Sequence, residues 1–370
     1  MRLNRIIANN FLSYRNIDLT LPNDFNIYSI IGKNGAGKSS LIESILWCLF
    51  GKTNRNSLEK FIPNIQDSKK AKVSLFFDNE NLKVDRQKNP PYFSYTNNNE
   101  VIRLQTITET QDSLDAFLNH NYKLFLVTSF FDDIFKNSFI DLSSEDKRQV
   151  IGTYFELDDF FTLRKKIRIA SDRLKISINN YEFVKEYIGL HFDSKEISKI
   201  ESLILSNTIE KSYIDFWVDA LSDTGIIKNI LSPLFDSITN KLNKYLKFLF
   251  DEEIFFSITA DYENYLKISG VEIGVKSISS SQKKRLNLAI MLAMSELIGE
   301  LRGSKLGNIL IFDEFSGLDP FSKEKLAKLI KNLSIKNQIF LVTHDYELLT
   351  LIDSHTIEVK FEEGYSKITN

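Results

Sequence analysis

The spacing of apolar positions changes character several times along the chain. In the first thirty residues, Ile6-Ile7-Ala8, Ile17-Asp18-Leu19 and Ile27-Tyr28-Ser29-Ile30-Ile31 lie between Asn and Pro punctuation, a pattern that predicts short strands. From Ser39 the period becomes helical: Leu41, Ile42, Ile45, Leu46 and Leu49 share a face, and Gly51 is a natural stop. Strands are expected again at 73–77, 82–85 and 101–105. Ser143-Ser144-Glu145-Asp146 then reads as a helix start ahead of Val150, Ile151, Tyr154 and Phe155.

A longer helical texture opens near residue 163. Leu163, Ile167, Ala170 and Leu174 are spaced 4, 3, 4, with Ile178, Tyr181 and Ile188 continuing the seam less cleanly. A second stretch starts at Asp193-Ser194-Lys195-Glu196, whose first and fourth residues suit a capping box, and runs through Ile197, Ile200, Ile204 and Tyr213. The pair reads either as a short antiparallel hairpin or as two ordinary amphipathic helices on a globular body. After Gly225 come another amphipathic helix and strands at 254–259 and 265–269. The remainder alternates: a helix from about Ser281, an apolar strand at 309–312, a helix at 322–333, a strand at 339–342 and a final strand at 356–361.

Composition narrows the class. The 370 residues are 43% hydrophobic and 26% charged, which suits two or three folded units rather than disorder. Lys+Arg (47) and Asp+Glu (49) nearly cancel, which excludes a globally basic nucleic-acid binder but not a local basic face. Cys48 is the only cysteine, so an internal disulfide and a cysteine zinc cluster are both excluded, as suits a reducing compartment. The opening Met1-Arg2-Leu3-Asn4-Arg5 lacks a signal-peptide core, and no 18-residue apolar run exists; no membrane span is expected, and the chain reads as cytoplasmic.

Chemistry concentrates in a few places. Gly32-Lys33-Asn34-Gly35-Ala36-Gly37-Lys38-Ser39 fits the G-x-x-x-x-G-K-[ST] phosphate loop, with a strand before and a helix after. Its glycines let backbone N–H groups wrap phosphate oxygens, and the helix N-terminus aims a positive dipole at the same anion. Lys38 would reach the β- and γ-phosphates of ATP, and the Ser39 hydroxyl would ligate Mg²⁺, with Ser40 completing the loop. Asn308-Ile309-Leu310-Ile311-Phe312-Asp313-Glu314 is an apolar run ending in two acids, as expected where a buried parallel strand delivers a ligand site. There Asp313 would hold Mg²⁺ through water, and Glu314 would accept a proton from the attacking water. Ser316-Gly317-Leu318-Asp319-Pro320 follows at once. His344 closes a later strand, where it would donate to the γ-phosphate or the water; His120, His191 and His355 read as structural.

Taken in order, the phosphate loop, Ser279-Ser280-Ser281-Gln282-Lys283-Lys284-Arg285, the Asp313-Glu314 strand, residues 316–320 and His344 resemble the ABC/SMC-type ATPases. Phe11-Leu12-Ser13-Tyr14-Arg15, Leu46-Trp47-Cys48-Leu49-Phe50-Gly51-Lys52, residues 141–158 and Tyr213-Ile214-Asp215-Phe216-Trp217 are similar to the SbcC family, the ATPase subunits of double-strand-break repair nucleases, including those of T-even-like phages. The resemblance covers residues 1–165 and 210–370. It implies an α/β ABC-type head assembled from an N-terminal lobe (1–162) and a C-terminal lobe (223–370), with a short antiparallel coiled-coil insertion (163–222). It also implies a homodimer that sandwiches two ATP molecules, Ser279, Ser281, Gln282 and Asp319 of one copy facing the phosphate loop of the other. A metallophosphoesterase-type nuclease would dock near the coil base, and double-stranded DNA ends would lie across the heads without sequence reading. In a phage-encoded member the setting would be the host cytoplasm.

Three departures stand out. Serines occupy 280 and 281 where the family signature carries two small residues, at a cost of about 1 kcal/mol if either backbone position needs φ > 0. The stretch Val127-Thr128-Ser129-Phe130-Phe131 lacks the Mg²⁺-sensing glutamine of many relatives, and Gln105 and Gln111 fall too early. A zinc hook is impossible with one cysteine, and the coil is very short. Lys69, Lys70 and Lys72, and Arg164, Lys165, Lys166 and Arg168, are either DNA-phosphate contacts or solvated faces. Alternatives to an ATPase subunit are an ATP-gated clamp with negligible turnover and a RecF-like gap-repair ATPase. A transporter ATPase fits least, because Ser279 lies 241 positions after Lys38.

Overall fold

The computed structural model describes residues 1–54, 62, 69–132, 140, 142–155, 157–189, 194–222, 225–259, 261–313 and 320–369. β1 (Leu3–Phe11), β2 (Tyr14–Thr20) and β3 (Ile27–Ile31) lead into α1 (Lys38–Phe50). Then come β4 (Ala71–Phe77), β5 (Leu82–Lys88), β6 (Tyr92–Asn97), β7 (Glu100–Ile102), α2 (Ile107–Leu118), α3 (Tyr122–Thr128) and β8 (Phe130–Asp132). Helices α4 (Ser144–Phe155), α5 (Asp158–Gly189), α6 (Ser194–Ala220) and α7 (Ile226–Leu249) follow in succession. Three strands, β9 (Ile254–Ile258), β10 (Asn264–Ile268) and β11 (Val271–Glu272), precede α8 (Ser280–Arg302). The chain closes with β12 (Ile309–Asp313), α9 (Pro320–Ser334), β13 (Gln338–Val342), α10 (Tyr346–Thr350), β14 (His355–Glu362) and β15 (Tyr365–Thr369).

Most expected elements are present, with corrections. β6, α2, α3, β8, β11 and α10 lie where no element was expected, and the strand expected as the last is followed by β15. The proposed Asp193 cap lies outside the described residues.

Two compact units emerge. One comprises Met1–Asp141, Asn240–Phe256 and Leu266–Asn370 and holds a twelve-stranded sheet in the order β7-β6-β5-β4-β1-β2-β15-β14-β3-β13-β12-β8. From β7 to β2 every pairing is antiparallel. From β14 through β3, β13 and β12 to β8 every pairing is parallel. The continuous apolar runs of β12 and β13 are buried along their whole length, as a parallel strand covered on both faces requires. The halves meet where β15 pairs parallel with β2 at a single registered pair, Ser366 with Tyr14. α1 is buried nearly all round on β1, β4 and β5. Trp47 meets Phe11 and Phe50 meets Phe125, each with ring centroids 5.4 Å apart. Cys48 sits here too, its thiol donating to the Val84 carbonyl at 3.3 Å and pushed up to about 12 by burial, so it is chemically quiet. Both edge strands of the sheet, β7 and β8, are three residues long, which blunts edge-to-edge association.

The second unit comprises Leu142–Thr239 and Ser257–Tyr265. As expected, α4 starts on Ser143, whose Oγ accepts from the Asp146 amide at 3.1 Å. Lys147 is buried and donates to the Tyr262 carbonyl (3.2 Å) and Asn264 Oδ1 (2.8 Å). α5 and α6 form an antiparallel hairpin of 32 and 27 residues, roughly 48 and 40 Å long. Lys185 pairs with Glu201 at 2.7 Å, and the Ser171 hydroxyl donates to Asp215, fourteen residues further down both helices; the register is therefore continuous. Ile167, Leu174, Ile178 and Tyr181 of α5 and Ile197, Ile200, Ile204 and Ile214 of α6 are half-buried and mark the seam, while Leu163, expected on it, is 47% exposed. Leu205, Ile209, Tyr213 and Phe216, spaced 4, 4, 3, form a second apolar stripe on α6 that points away from the seam and is exposed.

Candidate functional site

The phosphate loop spans the end of β3 and the start of α1, and its glycines differ in what they permit. A Cβ on Gly32 would lie 2.2 Å from the Val359 carbonyl oxygen of β14. One on Gly37 (φ +109°) would lie 2.1 Å from Ser366 Oγ and 2.8 Å from Ser13 Oγ, whereas Gly35 (φ +81°) has open space around it. Lys33 and Asn34 are exposed at the crest, Ala36 is buried, and the Ala36 amide donates to the Lys33 carbonyl at 3.0 Å. Lys38 is buried, and its Nζ donates to the carbonyls of Gly32 (2.9 Å) and Lys33 (3.2 Å), which holds the ammonium over the loop. α1 has no side chain capping its first amides, so these point into the cradle together with the dipole. Ser39 and Ser40 open the helix behind Lys38.

Register places the other groups on the same edge. Ile30 of β3 faces Val342 of β13, and Val342 faces Asp313 of β12. Asp313 is therefore two strands, about 10 Å, from the strand that feeds the loop, and it is buried at the C-terminal end of its own. His344 follows β13 and is exposed, held by neighbours on both sides. The Thr343 amide donates to the Ile30 carbonyl at 3.1 Å. Asp345 caps α10 and pairs with Lys323 at 2.8 Å. Burial pulls the Asp345 carboxyl up, but the Lys323 ammonium and the α10 amides outweigh it and hold the group below its usual range. Glu314 and Asp319 lie outside the described residues.

The serine-rich turn is built without strain. Ser279 caps α8: its Oγ accepts from the Gln282 amide at 3.2 Å, and Gln282 Oε1 accepts from the Ser279 amide at 3.0 Å. Neither Ser280 nor Ser281 has positive φ, so the anticipated backbone penalty does not arise. Ser279 and Ser280 are exposed, while the Ser281 hydroxyl is buried.

Asp132 ends β8, a strand that the apolar pattern did not predict. β8 pairs parallel with β12 so that the Asp132 backbone registers with Asp313, next to the segment that lacks the Mg²⁺-sensing glutamine of many relatives. The available signal was two apolar residues ending in an acid, the terminus of β12 in miniature. Gln111, set aside as too early, has a different role: its Nε2 donates to the Leu49 carbonyl (2.9 Å) and to Asp115 (2.7 Å), which ties α2 to the end of α1.

The residues present fit a nucleoside triphosphate with Mg²⁺. The cradle admits only glycine at two points, a buried lysine stands over it, and a hydroxyl and a carboxylate flank it. Among the described residues no three His, Cys, Asp or Glu side chains converge on one point, so a divalent ion here would draw most of its ligands from phosphate and water, the habit of Mg²⁺. No described helix is long and apolar enough to cross a membrane.

Comparison with known proteins agrees with this geometry. The DNA double-strand break repair Rad50 ATPase of Saccharolobus solfataricus is 34% identical over 85 residues, covering 23% of this chain and 9% of the relative. Protein R555 of Acanthamoeba polyphaga mimivirus is 23% identical over 331 residues (80% and 23%). The DNA replication and repair protein RecF of Clostridium botulinum is 33% identical over 82 residues (22% of each). The chain thus spans less than a quarter of these relatives' lengths. Among solved structures, the Smc head domain with an extended coiled coil from Pyrococcus furiosus, bound to the C-terminal domain of ScpA, superposes with a TM-score of 0.60 at 18% identity, covering 100% of this chain and 96% of that one. The recombination mediator RecF superposes with a TM-score of 0.56 at 16% identity, covering 100% and 98%. The RecF/RecN/SMC N-terminal domain model matches residues 2–367, and the chain belongs to that family, as an ABC ATPase of the SMC/Rad50 type.

Proposed function

We propose that this chain is the ATP-hydrolysing subunit of a DNA double-strand-break repair and recombination complex whose nuclease resides on a separate chain. The observation that carries the reading is the shared strand edge, where the glycine loop, Asp313 and His344 stand at the C-terminal ends of three adjacent parallel strands. In this reading residues 1–162 and 223–370 are two lobes of one head, and residues 163–222 are its coiled-coil insertion. Lys38 and the loop amides hold the β- and γ-phosphates. Ser39 and Asp313 hold Mg²⁺, which supplies charge neutralisation at the phosphate oxygens when bound. Glu314 takes the proton of the attacking water, and His344 donates to the γ-phosphate. Ser279, Gln282 and Asp319, together with Ser281 through its backbone because its hydroxyl is buried, meet the nucleotide of a second copy, so that ATP closes a homodimer. The capping box supports this by fixing the direction of the α8 N-terminus, whose dipole would then face that nucleotide.

Partners follow the surface. The exposed α6 stripe ends in a preformed aromatic pair, Phe216 and Trp217 (ring centroids 5.5 Å apart), and suits the apolar face of a helix from a metallophosphoesterase-type nuclease. Lys165, Lys166 and Arg168 are exposed on α5 and suit DNA phosphates, with binding that weakens steeply as salt rises. A cytoplasmic setting belongs to the same reading.

The test is Glu314→Gln, assayed for turnover and for mass in solution with and without Mg-ATP. The variant should bind ATP, lose turnover by a factor on the order of 100 or more, and accumulate as a dimer. A wild type with neither turnover nor nucleotide-dependent dimerisation sinks the proposal. Wild-type turnover no greater than the variant's, with ATP-dependent DNA binding intact, would favour a clamp instead.

A further inference from the structure

The phosphate loop is braced from one side by the β14–β15 hairpin and by the turn between β1 and β2. Val359 of β14 passes so close to Gly32 that no Cβ fits, and Ser366 of β15 does the same at Gly37. The contacts at Gly37 are specific. The Tyr14 hydroxyl donates to the Gly37 carbonyl at 3.1 Å, and Tyr14 is fully buried. Burial pushes its phenol up, which favours the protonated form that donates. The Ser366 hydroxyl donates to Ser13 Oγ at 2.7 Å, and the Ser366 amide donates to the Ser13 carbonyl at 2.8 Å. These residues also form the single registered pair that joins the two halves of the twelve-stranded sheet.

We infer that Ser13, Tyr14 and Ser366 are positioning residues for the phosphate loop, and that through them nucleotide affinity is coupled to closure of the β2–β15 seam. Nothing in the phosphate-loop motif demands this. Gly37 turns the backbone at φ +109° into α1, and its carbonyl has two anchors, the Leu41 amide at 3.2 Å within the helix and the Tyr14 hydroxyl outside it. The outer anchor, with Ser366 packed on the Cα, sets the direction in which the following amides point. Because the seam is one pair wide, it is the narrowest joint between the sheet halves, and it lies directly against the loop. By linkage, whatever the closed seam does for nucleotide binding, bound nucleotide does for the seam. The inference rests on the nucleotide-binding reading above and adds to it a dependence on residues outside the motif.

The test uses the full chain with Tyr14→Phe, Ser366→Ala, Ser13→Ala and the Ser13→Ala/Ser366→Ala double variant. Mg-ATP and Mg-ADP affinities are measured by calorimetry, and unfolding midpoints without nucleotide are measured alongside. Tyr14→Phe leaves the Gly37 carbonyl its helical partner, so the nucleotide-free midpoint should stay near wild type, while both nucleotides bind about three- to tenfold more weakly. In turnover, KM for ATP should rise by the same factor with kcat unchanged. Ser13→Ala and Ser366→Ala should weaken binding non-additively, as groups sharing one hydrogen bond do. Hydrogen exchange at residues 13–16 and 365–367 should slow when Mg-ATP is added to wild type. Affinities within twofold of wild type for both Tyr14→Phe and Ser366→Ala overturn the inference. So does a loss of affinity matched by an equal loss of nucleotide-free stability. A wild type that binds no nucleotide refutes the ATPase reading itself.

Discussion

Asp115 shows how a single buried group can carry a pH dependence at some distance from the phosphate loop. Arg86, buried and face-on to Phe93 at 3.7 Å, donates through Nε to the Cys48 carbonyl at 3.0 Å and through a terminal nitrogen to Gln111. Burial lowers its pKa to about 10. Gln111 passes the chain on to the Leu49 carbonyl and to Asp115, so the last carbonyls of α1 are satisfied by side chains from β5 and α2. Burial raises Asp115 from 3.8 to about 6, and the Gln111 hydrogen bond recovers only part of the penalty. The folded state therefore holds this proton more tightly than the unfolded chain. The stabilising contribution is complete below about pH 4 and is lost as pH rises through 6. Asp115→Asn should accordingly be more stable than wild type at pH 7–8, with the advantage shrinking to nothing near pH 4; urea midpoints of the two proteins against pH test it. A wild type that gains on the variant as pH rises would contradict the sign. The glycines are as instructive. That loop positions 32, 35 and 37 are glycine is plain in the motif, but that 32 and 37 are walled in by β14 and β15 while 35 is open depends on strands more than 300 residues away.

At the scale of elements, caps and stops within one turn are legible only in part: the capping box of Thr106 and Glu109 starts α2 and the Asn121 cap starts α3, two helices that the apolar pattern does not predict. Gly51 ends α1 in the left-handed conformation and Ser143 starts α4, both as expected, while α8 is capped by Ser279 with Gln282, two residues ahead of its expected start. The capping box makes a specific forecast about the serine-rich turn. Ser279→Ala should cost about 1 kcal/mol by urea unfolding. Replacing Ser281 by glycine should cost a further 0.5–1 kcal/mol or so rather than relieve strain, because the residue already has helical φ. Stabilisation by that glycine would mean the turn is strained after all. The hairpin was legible as two helices but not as faces. α5 and α6 carry apolar residues on two sides, so periodicity located a seam without saying which side the partner helix takes, and Leu163 was read onto the wrong one. β6 and β8 share a different difficulty: their Tyr and Phe residues favour strands, but β6 lies between turns and β8 is three residues long, so neither run is long enough to stand out.

For the whole molecule, the decisive fact is that β3, which feeds the phosphate loop, has both its neighbours from the far end of the chain, β13 on one side and β14 on the other. The buried Gln338 side chain adds a two-way amide clasp to β1, accepting from the Leu3 amide and donating to the Leu3 carbonyl at 2.8 Å each. Residues 1–162 expressed alone should therefore show no thermal shift with Mg-ATP, and mixing with residues 223–370 should restore it. A nucleotide response from the first fragment by itself would show that the loop needs neither neighbour. The sequence by itself determined the chemistry: the phosphate loop, the acid-tipped strand, the histidine, the serine cap and the absence of a second cysteine are each set by a few neighbouring residues, and local backbone physics makes them readable. Tertiary structure alone decided which distant segments close around them. It set Asp132 beside Asp313, Ser366 against Gly37, and an apolar face of α6 toward solvent, because strand order and helix facing are fixed by burial summed over the whole fold, which no local window contains.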